Sequence, residues 1–187
     1  MENKAIRPCP ACGSNTRKPI GSKNGFEIFV CSKCSTLYTG HVPVEAETQD
    51  YDGYYSDSNL SVPEFIRDRV NEIVGDFSIY RECNRLLDIG FGAGTVLEAA
   101  SKLEWNVFGL EVSRPAVDRA RKRGFEVFHG GLVEARYPDH YFDVITSSEI
   151  LEHLSDPNAD LREIARILRP GGMLWATTPS STGLSFR

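Results

Sequence analysis

The sequence predicts an α/β protein, a doubly wound parallel sheet preceded by a small metal-stabilised segment. Three observations carry that prediction. From about residue 85, short apolar runs alternate with amphipathic helical stretches, the pattern of a parallel sheet with helices on its faces. The glycine-rich turn Asp88-Ile89-Gly90-Phe91-Gly92-Ala93-Gly94 follows the first of these runs. Near the N-terminus, four of the five cysteines form two matched pairs.

The cysteine segment comes first in the chain. Cys9-Pro-Ala-Cys12 and Cys31-Ser-Lys-Cys34 stand 18 residues apart, the spacing of a four-thiolate zinc site. A tight turn brings both sulfurs of one pair to a single ion, and two such turns complete a tetrahedron. Gly13 and Ser35 follow the pairs and let the chain bend past its second ligand. Phe26–Val30 reads as a strand between them, and residues 1–40 together resemble a zinc ribbon. Disulfides and a redox C-x-x-C are the alternatives. The first is disfavoured in a reducing compartment; the second does not account for two matched pairs. Four closed ligands leave no open position, so such an ion stabilises the fold rather than catalysing. Cys83 stands apart and is expected to pack as a small hydrophobe.

Residues 41–62 read as an acidic, polar linker. Its cluster Tyr51-Asp52-Gly53-Tyr54-Tyr55 is either loop packing or a lid over a neighbouring pocket. From residue 63, Phe65, Ile66, Val70, Ile73, Val74 and Phe77 recur at helical spacing, predicting a helix over 63–80. The expected elements that follow are a strand at 85–89, a helix at 95–103 and a strand at 107–110. A helix capped by Ser113 and stopped by Gly124 comes next, then strands at 125–128 and 142–147. Asp156-Pro157 opens a helix to Leu168, and a last strand covers 173–177. In such sheets ligands bind outside the carboxyl ends of the strands.

Composition narrows the function. Net charge is −5, about −1 over residues 1–60 and −4 over 61–187, so neither half has the basic excess that drives nucleic-acid binding. Arg119, Arg121, Lys122 and Arg123 form a local patch read as the solvated end of a helix. No apolar run suffices for a membrane helix and no leader is evident, so the expectation is a cytoplasmic protein without membrane contact. The glycines let the backbone approach a ligand closely; a tight strand-to-helix turn is the plain alternative. A dinucleotide fingerprint requires glycine at position 95, where Thr95 stands, which disfavours a nicotinamide oxidoreductase. Glu111 ends the second strand 21 residues after Gly90, where an acid can accept hydrogen bonds from ribose hydroxyls; otherwise it is an acid at a helix start.

Five blocks in order then carry a resemblance. They are Asp88-x-Gly90-x-Gly92-x-Gly94, the strand-ending Glu111, Phe142-Asp143-Val144-Ile145, Leu151-Glu152-His153-Leu154 and Leu168-Arg169-Pro170-Gly171-Gly172. Across roughly residues 63–180 the chain resembles a class I S-adenosylmethionine-dependent methyltransferase, with a Rossmann-like sheet. The head resembles that of bacterial methyltransferases with a zinc ribbon, many thought to act on sugars or other small metabolites. The resemblance implies S-adenosylmethionine as methyl donor, structural zinc and a small-molecule acceptor. It places Asp88, Gly90, Phe91, Gly92 and Gly94 along the methionine and ribose, Glu111 on the ribose, and Val112 against adenine. The family often has an acid where this chain has Gly131, so backbone around Leu132 is expected to meet the adenine. Ser147 and Ser148 match positions whose backbone meets the methionine amino group. His153 is the candidate base for a hydroxyl acceptor, with Glu152 orienting it or touching substrate; a structural Glu-His pair is the alternative. His41, His129 and His140 receive no role.

The family usually continues with two more strands and a helix, whereas only Pro179–Arg187 follow the last strand here. The sequence reading therefore expects a domain with an incomplete acceptor half-site, poor turnover and an apolar last strand prone to self-association. Competing readings are an RNA methyltransferase and an inactive binding module.

Overall fold

The structure, a computed structural model, describes residues 6–41 and 61–179. It divides into two units. One holds described residues 6–41 with 152–159 and 179; the other holds 61–151 with 160–178. The aromatic cluster at 51–55 lies outside the described residues. No described helix is long and apolar enough to cross a membrane.

In the first unit, β1 (Arg17–Lys23), β2 (Phe26–Cys31) and β3 (Leu37–Thr39) form an antiparallel sheet in that order. Asn24 and Gly25, both at positive φ, join β1 to β2. Asn-Gly favours the left-handed backbone of a two-residue hairpin, a cue the sequence reading passed over. The core is small: Cys9, Phe29, Cys31 and Tyr38, with Ile6 and Cys12 against it.

The second unit opens with α1 (Glu64–Asp76), which runs into a 3-10 turn at Phe77–Tyr80. There follow β4 (Arg85–Ile89), α2 (Thr95–Lys102), β5 (Asn106–Glu111), α3 (Arg114–Lys122), β6 (Glu126–His129) and α4 (Leu132–Ala135). Next come β7 (Phe142–Ser148), a 3-10 turn at Leu151–His153, α5 (Pro157–Ile167) and β8 (Leu168–Thr177). The sheet is parallel throughout, in the order β6-β5-β4-β7-β8. The chain moves outward from β4 to β6, then returns to lay β7 on the other side of β4. The carboxyl ends of β4 and β7 are thus the point where strand order reverses, and ligands bind at such crevices. Both faces of the sheet are covered. Leu87, Ile89, Phe142 and Ile145 pack on one side with Ile164 and Ile167 of α5. Leu86 and Val144 pack on the other with Val74, Phe77, Ala99 and Trp105. That is why the strands read as continuous apolar runs rather than alternating ones.

Three expectations are corrected. The last strand begins at Leu168, not 173, and the preceding helix ends at Ile167. Phe142 pairs with Leu168 and Val144 with Met173, so residues 169–172 bulge out of the ladder. Gly172 permits this: a Cβ there would lie 2.8 Å from the Asp143 carbonyl oxygen. Pro170, which lacks a donor, is tolerated because it stands in the bulge, outside the paired ladder. Second, Cys83 is exposed; its backbone N–H, not its thiol, is engaged, donating to Asp143 Oδ1 at 3.0 Å. Third, α1 buries only the later part of its apolar stripe. Val70, Ile73, Val74 and Phe77 pack inward, while Phe65 and Ile66 stay exposed.

Candidate functional site

The site begins where β4 gives way to the glycine turn. Gly90, Gly92 and Gly94 all take positive φ, which only glycine adopts cheaply. The Gly90 N–H donates to the Leu110 carbonyl at 2.7 Å, carrying the ladder past the strand end. A side chain at Gly90 would meet Ile150 Cδ1 at 2.2 Å, so the turn also needs glycine for close approach.

Glu111 at the tip of β5 is buried, 3% exposed. Its Oε2 accepts the Gly92 N–H at 3.0 Å, and its Oε1 accepts those of Val112 and Ser113 at 2.8 and 3.0 Å. One carboxylate thereby ties the glycine turn to the end of β5. A carboxylate offers about four acceptor positions; three are filled by backbone, so capacity for a ligand hydroxyl remains. Beside it Val112 is 48% exposed, an apolar side chain open to the surface at a strand tip. His129 Nε2 lies 2.9 Å from the Val112 carbonyl oxygen.

Asp88 is buried at the end of β4 and pairs across the sheet with Thr146. The Thr146 hydroxyl donates to its Oδ1 at 2.8 Å. Burial pushes the Asp88 carboxyl up to about 7; the Thr146 hydrogen bond opposes that rise and the Glu111 charge adds to it.

The other sequence candidates divide. Phe91 turns inward: its ring packs with Leu97, Ala116, Val117 and Ala120, filling space over Gly109. Only its backbone belongs to the turn. Leu132 is buried beside the sheet core. Ser147 is buried and its hydroxyl has no partner among the described residues; the Ser113 hydroxyl is in the same condition. Ser148 is exposed, its Oγ 2.8 Å from Thr177 Oγ1. Glu152 and His153 are exposed on the 3-10 turn, and residues 152–159 group with the cysteine unit. Glu134 was missed by the sequence reading: its Oε2 accepts the Gly131 N–H at 2.9 Å, bringing an acid to the segment where position 131 lacks one.

Residues 87–176 match the family described as a methyltransferase domain. Family match and fold together support a class I S-adenosylmethionine-dependent methyltransferase. The 27-O-demethylrifamycin SV methyltransferase of Amycolatopsis mediterranei is 33% identical over 145 residues, covering 71% of this chain and 53% of that protein. A ubiquinone biosynthesis O-methyltransferase of Xanthomonas oryzae pv. oryzae is 35% identical over 109 residues, covering 54% and 46%. The chain thus spans about half the length of the curated relatives it matches. A SAM-dependent methyltransferase from Archaeoglobus fulgidus shares the fold, with a TM-score of 0.60 at 22% identity, over 73% of this chain and 62% of that one.

The strand tips of this methyltransferase domain are compatible with a nucleoside ligand. They join a glycine-rich backbone turn, a buried acceptor carboxylate, an exposed apolar Val112 and two buried hydroxyls without partners among the described residues. In the first unit, the sulfurs of Cys9, Cys12, Cys31 and Cys34 lie within 4.8 Å of one another. Cys9–Cys34 and Cys12–Cys31 are each 3.6 Å apart. A tetrahedron with zinc–sulfur bonds of about 2.3 Å has edges of about 3.8 Å, so the cluster is compatible with a zinc ribbon. Gly13 and Ser35 both take positive φ, and their N–H groups close the two turns onto the Cys9 and Cys31 carbonyls. Hydrogen bonding from the Thr36 hydroxyl and backbone brings the Cys34 thiol down to about 6, while, against a Ser14 backbone hydrogen bond, the neighbouring cysteine sulfurs push Cys12 up to about 12; the four sulfurs share protons that a metal would displace.

Proposed function

We propose that the chain transfers a methyl group from S-adenosylmethionine to a hydroxyl of a small-molecule acceptor. The observation that most supports this is the buried Glu111 carboxylate, held against the glycine turn with acceptor capacity to spare. When bound, the donor supplies a methyl group already activated by a positively charged sulfur. The chain's residues hold and align. Glu111 takes a ribose hydroxyl, Val112 and backbone around Leu132 flank the adenine, and Gly90, Gly92 and Gly94 give the turn its room. Asp88 and the backbone at Ser147 and Ser148 face the positively charged methionine end. His153 takes the proton from the acceptor hydroxyl, with Glu152 orienting it. A hydroxyl acceptor is supported by the relatives' names, two of which specify O-methyl transfer. Residues 1–40 act as a structural zinc ribbon through Cys9, Cys12, Cys31 and Cys34, 41–62 as a linker, and the rest as the donor-binding domain.

Calorimetric titration with S-adenosylmethionine, followed by labelled-methyl transfer to a panel of phenolic and sugar hydroxyls, tests the reading. Wild type is expected to bind the donor and Glu111→Gln to bind it about tenfold more weakly or worse, since a charged hydrogen bond contributes about 1.5–3 kcal/mol. A silent titration with well-folded protein overturns it.

A second expectation concerns pH. A cationic ligand favours ionised Asp88, and this carboxyl ionises only as pH rises through about 7. Donor affinity should therefore climb about tenfold between pH 6 and pH 8 and level off above. Asp88→Asn should flatten the profile. Equal affinities at both pH values in the wild type would remove Asp88 from the donor site.

A further inference from the structure

Outside the strand tips, α2 and α3 frame a cavity of about 220 Å³ whose lining includes Arg67, Ala93, Thr95, Glu98, Arg119 and Arg123. Three guanidinium groups there face one carboxylate. Arg123 pairs with Glu98 and donates through Nη1 to the Ala93 carbonyl at 3.2 Å. Arg67 uses only Nε, on the Val62 carbonyl at 3.1 Å, leaving its terminal nitrogens uncommitted among the described residues. Arg119 makes no hydrogen bond or ion pair with any described residue. Thr95 adds a hydroxyl at the first position of α2, the end of a helix that favours negative charge. The cavity therefore carries a local excess of positive charge in a domain segment that is acidic as a whole.

We propose that this arginine pocket binds a phosphoryl group. Guanidinium forks match the oxygens of a phosphate two at a time, and the space admits a phosphoryl group with the first atoms of whatever carries it. A flat, basic surface would suit a nucleic-acid backbone; a small cavity in an acidic segment suits a small phosphorylated molecule or free phosphate. The pocket adjoins the glycine turn, because Arg123 bonds to Ala93 within it. The proposal does not depend on methyl transfer.

The test is titration of the full chain with inorganic phosphate and, separately, with glycerol phosphate at constant ionic strength, followed by calorimetry and by amide NMR. Saturable binding is expected, with amide shifts centred on Ala93, Thr95 and Glu98. Arg119→Ala and Arg67→Ala, both exposed positions, should each weaken it about tenfold or more with melting temperature unchanged. Arg121→Ala, on the same helix but outside the cavity, should leave it intact. Tighter binding of the ester assigns the site to a phosphorylated metabolite; tighter or equal binding of the free ion assigns it to phosphate itself. Non-saturable binding, equal losses in Arg119→Ala and Arg121→Ala, or shifts centred on Glu111 and Val112 would overturn the proposal.

Discussion

Replacing Asp143 with alanine will lower the stability of the sheet unit by about 3–5 kcal/mol, the cost of breaking a buried charge pair by removing one partner. The reason is the number of groups it holds. Fully buried at the start of β7, Asp143 accepts the backbone N–H groups of Glu82, Cys83 and Arg85 at 3.0–3.1 Å. The Arg169 Nε donates to the same carboxylate at 2.5 Å. Arg169 also reaches the Tyr80 carbonyl and the Glu82 carboxylate. One ion pair thus fastens the chain entering β4 to β7 and to the bulge that opens β8. In a domain of this size the loss corresponds to a fall in melting temperature of about 6–20 °C. Asp143→Asn should be nearly as harmful, because its amide turns a donor toward an N–H or the guanidinium.

The same residue sets an acid limb. Burial alone would raise the Asp143 carboxyl, but hydrogen bonds from the Cys83 backbone, Arg169, and the Arg85 and Glu82 backbone outweigh it and hold the group below the usual aspartate range. A depressed carboxylate stabilises the fold fully above its unfolded value of about 4 and loses that contribution as pH falls through the folded value. Wild type should lose stability steeply below about pH 4, and Asp143→Asn should lack that part of the slope. Urea unfolding at pH 3, 4 and 7 separates the two; an identical acid limb in both proteins would refute the assignment.

Removing metal from the cysteine unit will have the other large effect. Its apolar core is little more than Phe29 and Tyr38 between cysteine side chains, too little to order the segment by hydrophobic burial. Structural zinc in small domains contributes about 10–16 kcal/mol. The purified chain is expected to contain about one zinc. A strong chelator, or Cys31→Ser, should abolish the ordered aromatic signal of Phe29 and Tyr38 and open residues 6–41 to proteolysis. The sheet unit, with its own core, should keep its melting transition. Cys83→Ser is the control and should change nothing. A ribbon that stays folded and protease-resistant without metal would sink the zinc reading.

What was legible in the sequence was local. The paired cysteines, Gly13 and Ser35, the glycine turn and the strand-ending Glu111 each work over a few residues, so spacing and residue type suffice to place them. The alternation of apolar runs and helices was legible for the same reason, since periodicity records which side of an element is buried. The strand start at Leu168 was not legible, because the bulge at 169–172 exists only against Asp143 of the neighbouring strand. That the ring of Phe91 packs into the core under α3, while its backbone stays in the glycine turn, was not legible either. The basic run at 119–123 looked like one solvated patch, yet Arg119 and Arg123 line a cavity while Arg121 bonds to the Val127 carbonyl.

Short-range rules in the chain itself determined the α/β class, the four-cysteine set and the glycine turn with its neighbouring strand-ending acid. The tertiary structure alone decided the Asp143–Arg169 fastening, the seat of Glu111 on the glycine turn and the arginine pocket. Each joins groups between 19 and 89 residues apart, and no local pattern encodes a contact that forms only when distant elements pack.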